Sequence, residues 1–194
     1  MKTLQERFEA DYAAVEKPAN NKDGFKIEYV YYAPWHLWDL PEAALKKCKR
    51  MLLGVSLLGL VFFIVAGIQE CEANTRYWVA VPALLGLCAH VVELYGLILF
   101  NCAKYRTTRM TYHDVNWCMS FGPVARTGLL LLTGITSGYG VFLYGFSWKA
   151  LTAWMGFLAS AITALYVSRT YRGLQLRTER NTILEELEAQ GKLH

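Results

Sequence analysis

The sequence predicts an all-α, polytopic integral membrane protein built as a four-transmembrane-helix bundle. Three observations point there. Apolar residues make up 54% of the 194 residues. They are gathered into four blocks of spanning length instead of being spread along the chain. The charged residues fall between the blocks, which separates a membrane protein from a merely hydrophobic globule.

The blocks are 51–68, 78–100, 123–146 and 150–168. Each can cross a hydrocarbon core of roughly 30 Å at about 1.5 Å per residue. In lipid every backbone polar group needs a partner within its segment, so each block is expected to be helical. The first and fourth blocks hold no charge, the third carries Arg126 near its start, and the second holds His90 and Glu93.

Lys and Arg set the orientation. Lys46, Lys47, Lys49 and Arg50 precede the first block, and Lys104, Arg106 and Arg109 follow the second. Arg169, Arg172, Arg177 and Arg180 follow the fourth. Against these eleven stand Arg76 and Lys149 on the other side. The positive-inside rule then places both termini and the middle loop in the cytoplasm, N-in and C-in. The formal charge of +4 is a topology signal under this reading and does not imply nucleic-acid binding. Basic residues at span ends are expected at the lipid headgroups. The extramembrane parts are small, which suits a bacterial cytoplasmic membrane. No cleavable signal peptide is read in the polar first 50 residues.

Outside the spans, 1–49 reads as a cytoplasmic cap, 50–168 as the transmembrane domain and 169–194 as a cytoplasmic amphipathic helix. Leu4, Phe8, Tyr12 and Val15 recur at helical spacing and predict a helix over 1–17. A linker at 18–24 separates it from FKIEYVYY, 25–32, whose β-branched and aromatic residues predict an extended segment. Trp35, Trp38, Tyr31 and Tyr32 resemble an interfacial aromatic belt. Asp39 before Leu40-Pro41-Glu42 is expected to cap a helix running into the first span. Loop 101–122 is polar and is expected to be irregular. In the tail, Leu174, Leu176, Ile183, Leu184 and Leu187 are expected to form one apolar stripe, with Gly173 marking a kink.

His90 and Glu93 are the candidate functional pair. A charge near a bilayer centre costs about 2.5–3.5 kcal/mol or more, so it needs a partner, a proton or a wet cavity. Three residues apart, the two share a helical face with Gly86. Candidate partners on the third span are Arg126, Thr133 and Ser137, with Thr136 beside them. Counting from the cytoplasmic block ends at about 1.5 Å per residue puts Glu93 about 13 Å deep and Arg126 about 6 Å. A Glu93–Arg126 ion pair and an Arg126 snorkelling to the headgroups are then both open, and His90 matches Thr133 in depth. The pair reads as a structural clamp, as a proton or cation relay, or as a metal or cofactor ligand. One intramembrane histidine excludes bis-histidine haem within one chain.

Small residues mark helix contact faces in lipid. Gly134 and Gly138 form a G-x-x-x-G, and Gly156, Ser160, Ala164 and Ser168 recur every four residues. These faces serve packing within one chain or association between copies. Five cysteines, none in a C-x-x-C pair, imply no disulfide framework. His36 with Asp39 and His113 with Asp114 lack a third metal ligand nearby, and no metal or cofactor is expected. Hydrolase, P-loop and dinucleotide motifs are absent.

The leading expectation is a non-enzymatic membrane subunit that assembles with itself or with other membrane-protein subunits in the lipid bilayer. The alternatives are a small proton- or ion-coupled transporter using Glu93 and His90, and a membrane-embedded enzyme acting on a lipid or quinone, with His113 and Asp114 as candidates.

Overall fold

A computed structural model describes residues 4–18, 25–183 and 185–186. In chain order the elements are α1 (Leu4–Glu9), β1 (Tyr12–Pro18), β2 (Phe25–Tyr31), β3 (Trp35–Trp38), α2 (Glu42–Gly67), α3 (Glu72–Thr75), α4 (Tyr77–Cys102), α5 (Arg109–Tyr144), α6 (Trp148–Arg172) and β4 (Leu176–Glu179). They fall into two compact units.

The first unit comprises Leu40–Cys102 and Asp114–Gln175. Its helices α2, α4, α5 and α6 are each long and apolar enough to cross a membrane. The polarity is inside-out. Ser56, His90, Glu93, Arg126, Thr133, Ser137 and Ser160 are buried, while Leu57, Val61, Ile64, Leu84, Val91, Ile98, Leu131 and Ile135 are exposed. An apolar surface that continuous is untenable in water and normal against acyl chains, so the bundle's environment is lipid. Pairing is antiparallel between chain neighbours. A Cβ at Gly96 would meet Cys118 at 2.6 Å, one at Gly122 would meet the Glu93 backbone at 2.8 Å, and one at Gly86 would meet Leu130 at 2.9 Å. An apolar layer of Ala66, Val79, Ala83, Leu130, Ala153, Phe157 and Ala161 packs one end of the bundle. There Asn74 Nδ2 donates to Ala66 O and Gln69 O, satisfying carbonyls at the end of α2.

Several helix ends differ from expectation. The N-cap of α2 is Pro41, and the Asp39 side chain does not cap it. α5 begins at Arg109, fourteen residues before the apolar block, so much of the expected loop is helix. Thr108 provides the start: its hydroxyl accepts from Thr111 N at 3.3 Å. Pro123 lies inside α5, and the Thr127 hydroxyl donates to its carbonyl at 2.7 Å. The turn into α6 uses Gly145 at φ +88, the left-handed region that favours glycine, and Ser147 then caps α6 through Ala150 N.

The second unit comprises the described residues of Met1–Asp39, Ala103–His113 and Leu176–His194. It is not all-α. Among the described residues of the expected N-terminal helix, only Leu4–Glu9 is helical. Tyr12 and Val15 lie instead on β1, which pairs antiparallel with β2, Tyr12 opposite Tyr31 and Val15 opposite Glu28. The period of Phe8, Tyr12 and Val15 suits a helix, yet the aromatics find each other across the hairpin. Tyr12 meets Tyr31 edge-on at 5.3 Å across the strands, and Phe8 of α1 stacks on Tyr12 at 4.4 Å and meets Tyr29 of β2 at 5.2 Å. Cross-strand aromatic pairs are the unit of sheet stabilisation, and they override local periodicity.

The tail is likewise corrected. Leu176–Glu179 is a strand, paired antiparallel with β3 so that Trp35 faces Glu179 and Trp38 faces Leu176. At these four residues the open edge of β3 supplies backbone partners. Residues 183 and 185–186 are helical, while Leu184 and Leu187 lie outside the described residues. Asn181 fixes the turn after β4 by donating to Tyr31 O at 2.9 Å.

Candidate functional site: a buried polar network across four helices

The His90–Glu93 face of α4 meets polar groups of α2 and α5, and α6 joins the same network through Arg126. Arg126 Nη1 donates to Glu93 Oε1 at 2.8 Å, and both side chains are 0% exposed. Ser56 on α2 donates its hydroxyl to the same oxygen at 2.6 Å. A serine hydroxyl has one proton, so Ser56 Oγ can only accept at its 3.1 Å contact with His90 Nε2. His90 therefore carries its proton on Nε2. On the other side Arg126 Nη2 donates to Ser160 Oγ at 2.9 Å and to Thr163 Oγ1 at 3.2 Å. Those hydroxyls pass their own protons on, Ser160 to Gly59 O at 2.8 Å and Thr163 to Ser160 O at 2.7 Å. The donors thus run from His90 through Ser56 into Glu93, and from Arg126 both into Glu93 and out to the α2 backbone.

Glycines make the approach possible. A Cβ at Gly59 would overlap Arg126 Nη2 and Thr163 Oγ1 and lie 3.2 Å from Arg126 Cζ, so the guanidinium occupies the space that a side chain would fill. Gly122 brings the α5 backbone against Glu93. Because 93 faces 122 and 86 faces 130, Arg126 stands level with His90. Helical side chains lean toward the helix N-terminus, which carries the guanidinium from that level to Glu93. The depth count fails because it measures α5 from 123, whereas α5 begins at 109. Arg126 consequently does not snorkel.

Other candidates are placed elsewhere. Thr133 donates to Leu129 O of its own helix at 2.8 Å and is not a partner of His90. Ser137 Oγ is buried with no partner among the described residues, as are Glu93 Oε2 and Arg126 Nε. Gly134 lies against Leu158, Gly138 against Trp154 and Gly156 against Ala66 and Phe62. Ser160 belongs to the network itself, and Ala164 is fully buried. Ser56, Gly59 and Thr163 are the participants that the sequence reading misses. Ser56 was visible as the one strongly polar side chain inside the first block.

Of the basic residues expected at headgroups, Lys46, Lys47, Arg50, Lys104, Arg106, Arg109, Arg169 and Arg172 are exposed. Lys49 is the exception: it is buried, its ammonium 4.9 Å from the Phe100 ring centroid. No group of three or more His, Cys, Asp or Glu converges among the described residues. His36 stacks on Tyr112 at 5.0 Å in the second unit. Burial and the nearby Arg109 hold its imidazole below the usual range.

No family model matches the chain, and no solved structure matches it. Over 104 residues, 54% of this chain, it is 26% identical to the probable peptidoglycan glycosyltransferase FtsW of Alcanivorax borkumensis. The match covers 25% of that relative, so the chain spans about a quarter of its length. The four long apolar helices mark the chain as a membrane protein.

Proposed function

We propose that this chain is a non-enzymatic integral membrane subunit, with both termini cytoplasmic, that assembles with itself or with a larger membrane complex. The observation that carries this reading is the closure of the intramembrane network. Glu93 and Arg126 neutralise each other, and hydroxyls of the same chain bind most of what remains. Such a centre holds four helices in one arrangement and offers no open reaction site. The small-residue faces of Gly134, Gly138 and Gly156 are filled by the chain's own side chains, so assembly falls to other surfaces. The β1–β2 hairpin suits that role. Ile27 and Tyr29 are 52% and 58% exposed there, and among the described residues each strand pairs on one edge only. The orientation rests on the eleven-to-two distribution of basic residues.

A photo-cross-linking side chain at position 29, followed by mild-detergent extraction, tests the assembly. Adducts to a second copy or to another membrane protein are expected. A lone monomer with no adduct overturns the proposal.

A second reading, passage of protons or cations past Glu93 and His90, is favoured by the unpartnered Glu93 Oε2 and Arg126 Nε. It requires pH-dependent flux in liposomes that Glu93→Gln abolishes while the fold persists. Absence of flux in the unmodified protein removes it.

A further inference from the structure

The second unit contains a cavity of about 710 Å³, lined by Lys104–Arg106, Glu179–Ile183, Glu186 and Trp35. That volume is in the range of small-molecule sites. Its charges are not all spent on one another. Arg106 Nη2 lies 3.1 Å from Glu179 Oε2, and Arg180 pairs with Glu185. Lys104 has no carboxylate partner among the described residues. Glu186 Oε1 accepts from the Thr182 hydroxyl at 3.2 Å and meets no cation among them. Once the internal pairs are set aside, one ammonium and one carboxylate remain in the lining among the described residues.

We propose that this cavity binds a zwitterionic group carrying a phosphodiester and a primary ammonium, the chemistry of a phosphoethanolamine headgroup. Lys104 meets the phosphate and Glu186 the ammonium, while Trp35 and Tyr105 cover the short carbon linker. A purely anionic ligand would satisfy Lys104 and leave Glu186 facing like charge. A trimethylated ammonium would have no N–H to donate to the Glu186 carboxylate. The connection along the chain favours a lipid source, because Lys104 stands two residues beyond Cys102, the last residue of the candidate span α4. Two residues reach about 7 Å at most, within the headgroup region that flanks a hydrocarbon core.

The test uses the full chain in nanodiscs of phosphatidylcholine doped with phosphatidylethanolamine or phosphatidylglycerol, with retained lipid read by native mass spectrometry. Preferential retention of phosphatidylethanolamine is expected. Lys104→Gln and Glu186→Gln should each lower it about fivefold, the scale of one partly exposed charge contact of roughly 1 kcal/mol. Lys149→Gln, in the exposed Lys149–Glu70 pair of the other unit, serves as the control and should leave retention unchanged. Soluble phosphoethanolamine is added in a separate arm. Displacement by it supports headgroup recognition alone, and resistance to it supports the membrane lipid as the source. Equal retention of the three lipids overturns the proposal. So does preference for phosphatidylglycerol, or insensitivity to both variants when circular dichroism shows the fold intact.

Discussion

The chain contains the same chemical pair in two settings. In the helical unit Arg126 and Glu93 lie 2.8 Å apart at 0% exposure. In the strand-containing unit Arg106 and Glu179 lie 3.1 Å apart with side chains 59% and 43% exposed. The distances barely differ, and the energetics differ greatly. Water screens the exposed pair and can replace either partner, so pairs of this kind contribute about 0–1 kcal/mol. Neither partner of the buried pair has a substitute. Its desolvation is offset only if both charges stay and their remaining hydrogen bonds are met, so removal of one partner is far costlier than the pair's net contribution. Hence one arginine organises a fold and the other trims a surface.

The sharpest way to break that contrast is Arg126→Ala. It strands the Glu93 carboxylate and leaves Ser160 and Thr163 without their donor. A loss of about 3–5 kcal/mol is expected in denaturant unfolding from micelles, against less than about 1 kcal/mol for Arg106→Ala. Comparable losses would mean that the buried centre is hydrated. Replacing both charges at once, Glu93→Leu with Arg126→Met, should recover most of the loss, because apolar substitutes of similar volume often match a buried pair. If the double variant is no better than Arg126→Ala, the hydroxyls and not the charges hold the helices.

Two glycines of the same helix sharpen the comparison within the bundle. Gly59→Ala sets a methyl group into the guanidinium and Thr163, and should cost about 1–3 kcal/mol. Gly54→Ala meets nothing within 4 Å and should be neutral or stabilise by up to about 1 kcal/mol, since alanine favours helix. A thermal-melt series of both variants reads the difference directly. Equal effects would remove the close approach of α2 to Arg126.

Ser56→Ala should cost about 1–2 kcal/mol, because His90 Nε2–H loses its acceptor and Glu93 one of its two donors. The measurement is the shift in unfolding midpoint, and Ser56→Thr, which keeps the hydroxyl, is expected to recover part of it.

The smallest effect belongs to the strand-containing unit. Its His36 imidazole is held below the usual range by burial and by Arg109. The folded form therefore binds a proton less readily than the unfolded chain. Stability is full above the ordinary histidine pKa and declines as pH falls below it. Fluorescence of Trp35 and Trp38 should report a modest loosening between about pH 7 and pH 5. His36→Phe, which keeps the stacking on Tyr112, should flatten that profile. An unchanged profile would show that His36 does not gate this unit.

Legibility in the sequence followed the range of the forces involved. The spans were legible because lipid imposes one rule on every residue within them: apolar outside, backbone paired within. His90, Glu93 and Arg126 stood out because charge in an apolar block is costly wherever it packs. Their pairing was not legible. It depended on where α5 begins, which Thr108 decides fifteen residues before the apolar run reaches Pro123. Ser56, Gly59 and Thr163 carried no signal of their role, since small polar residues and glycine occur in spans for many reasons.

The two ends of the chain were misread for a different reason. The 1–17 period and the apolar positions of the tail both suggest helices, yet residues 12–17 and 176–179 lie on strands, each held by a partner strand. Tyr12 found Tyr31, and Leu176 found Trp38, only after the chain had folded back. Composition and patterning alone determined four membrane-length helices, because partition into lipid acts residue by residue. Tertiary structure alone decided which hydroxyl faces Glu93, which glycine admits the guanidinium and which segments pair as strands. Those outcomes depend on contacts between residues that are not neighbours in the chain, and no local property of either partner encodes them.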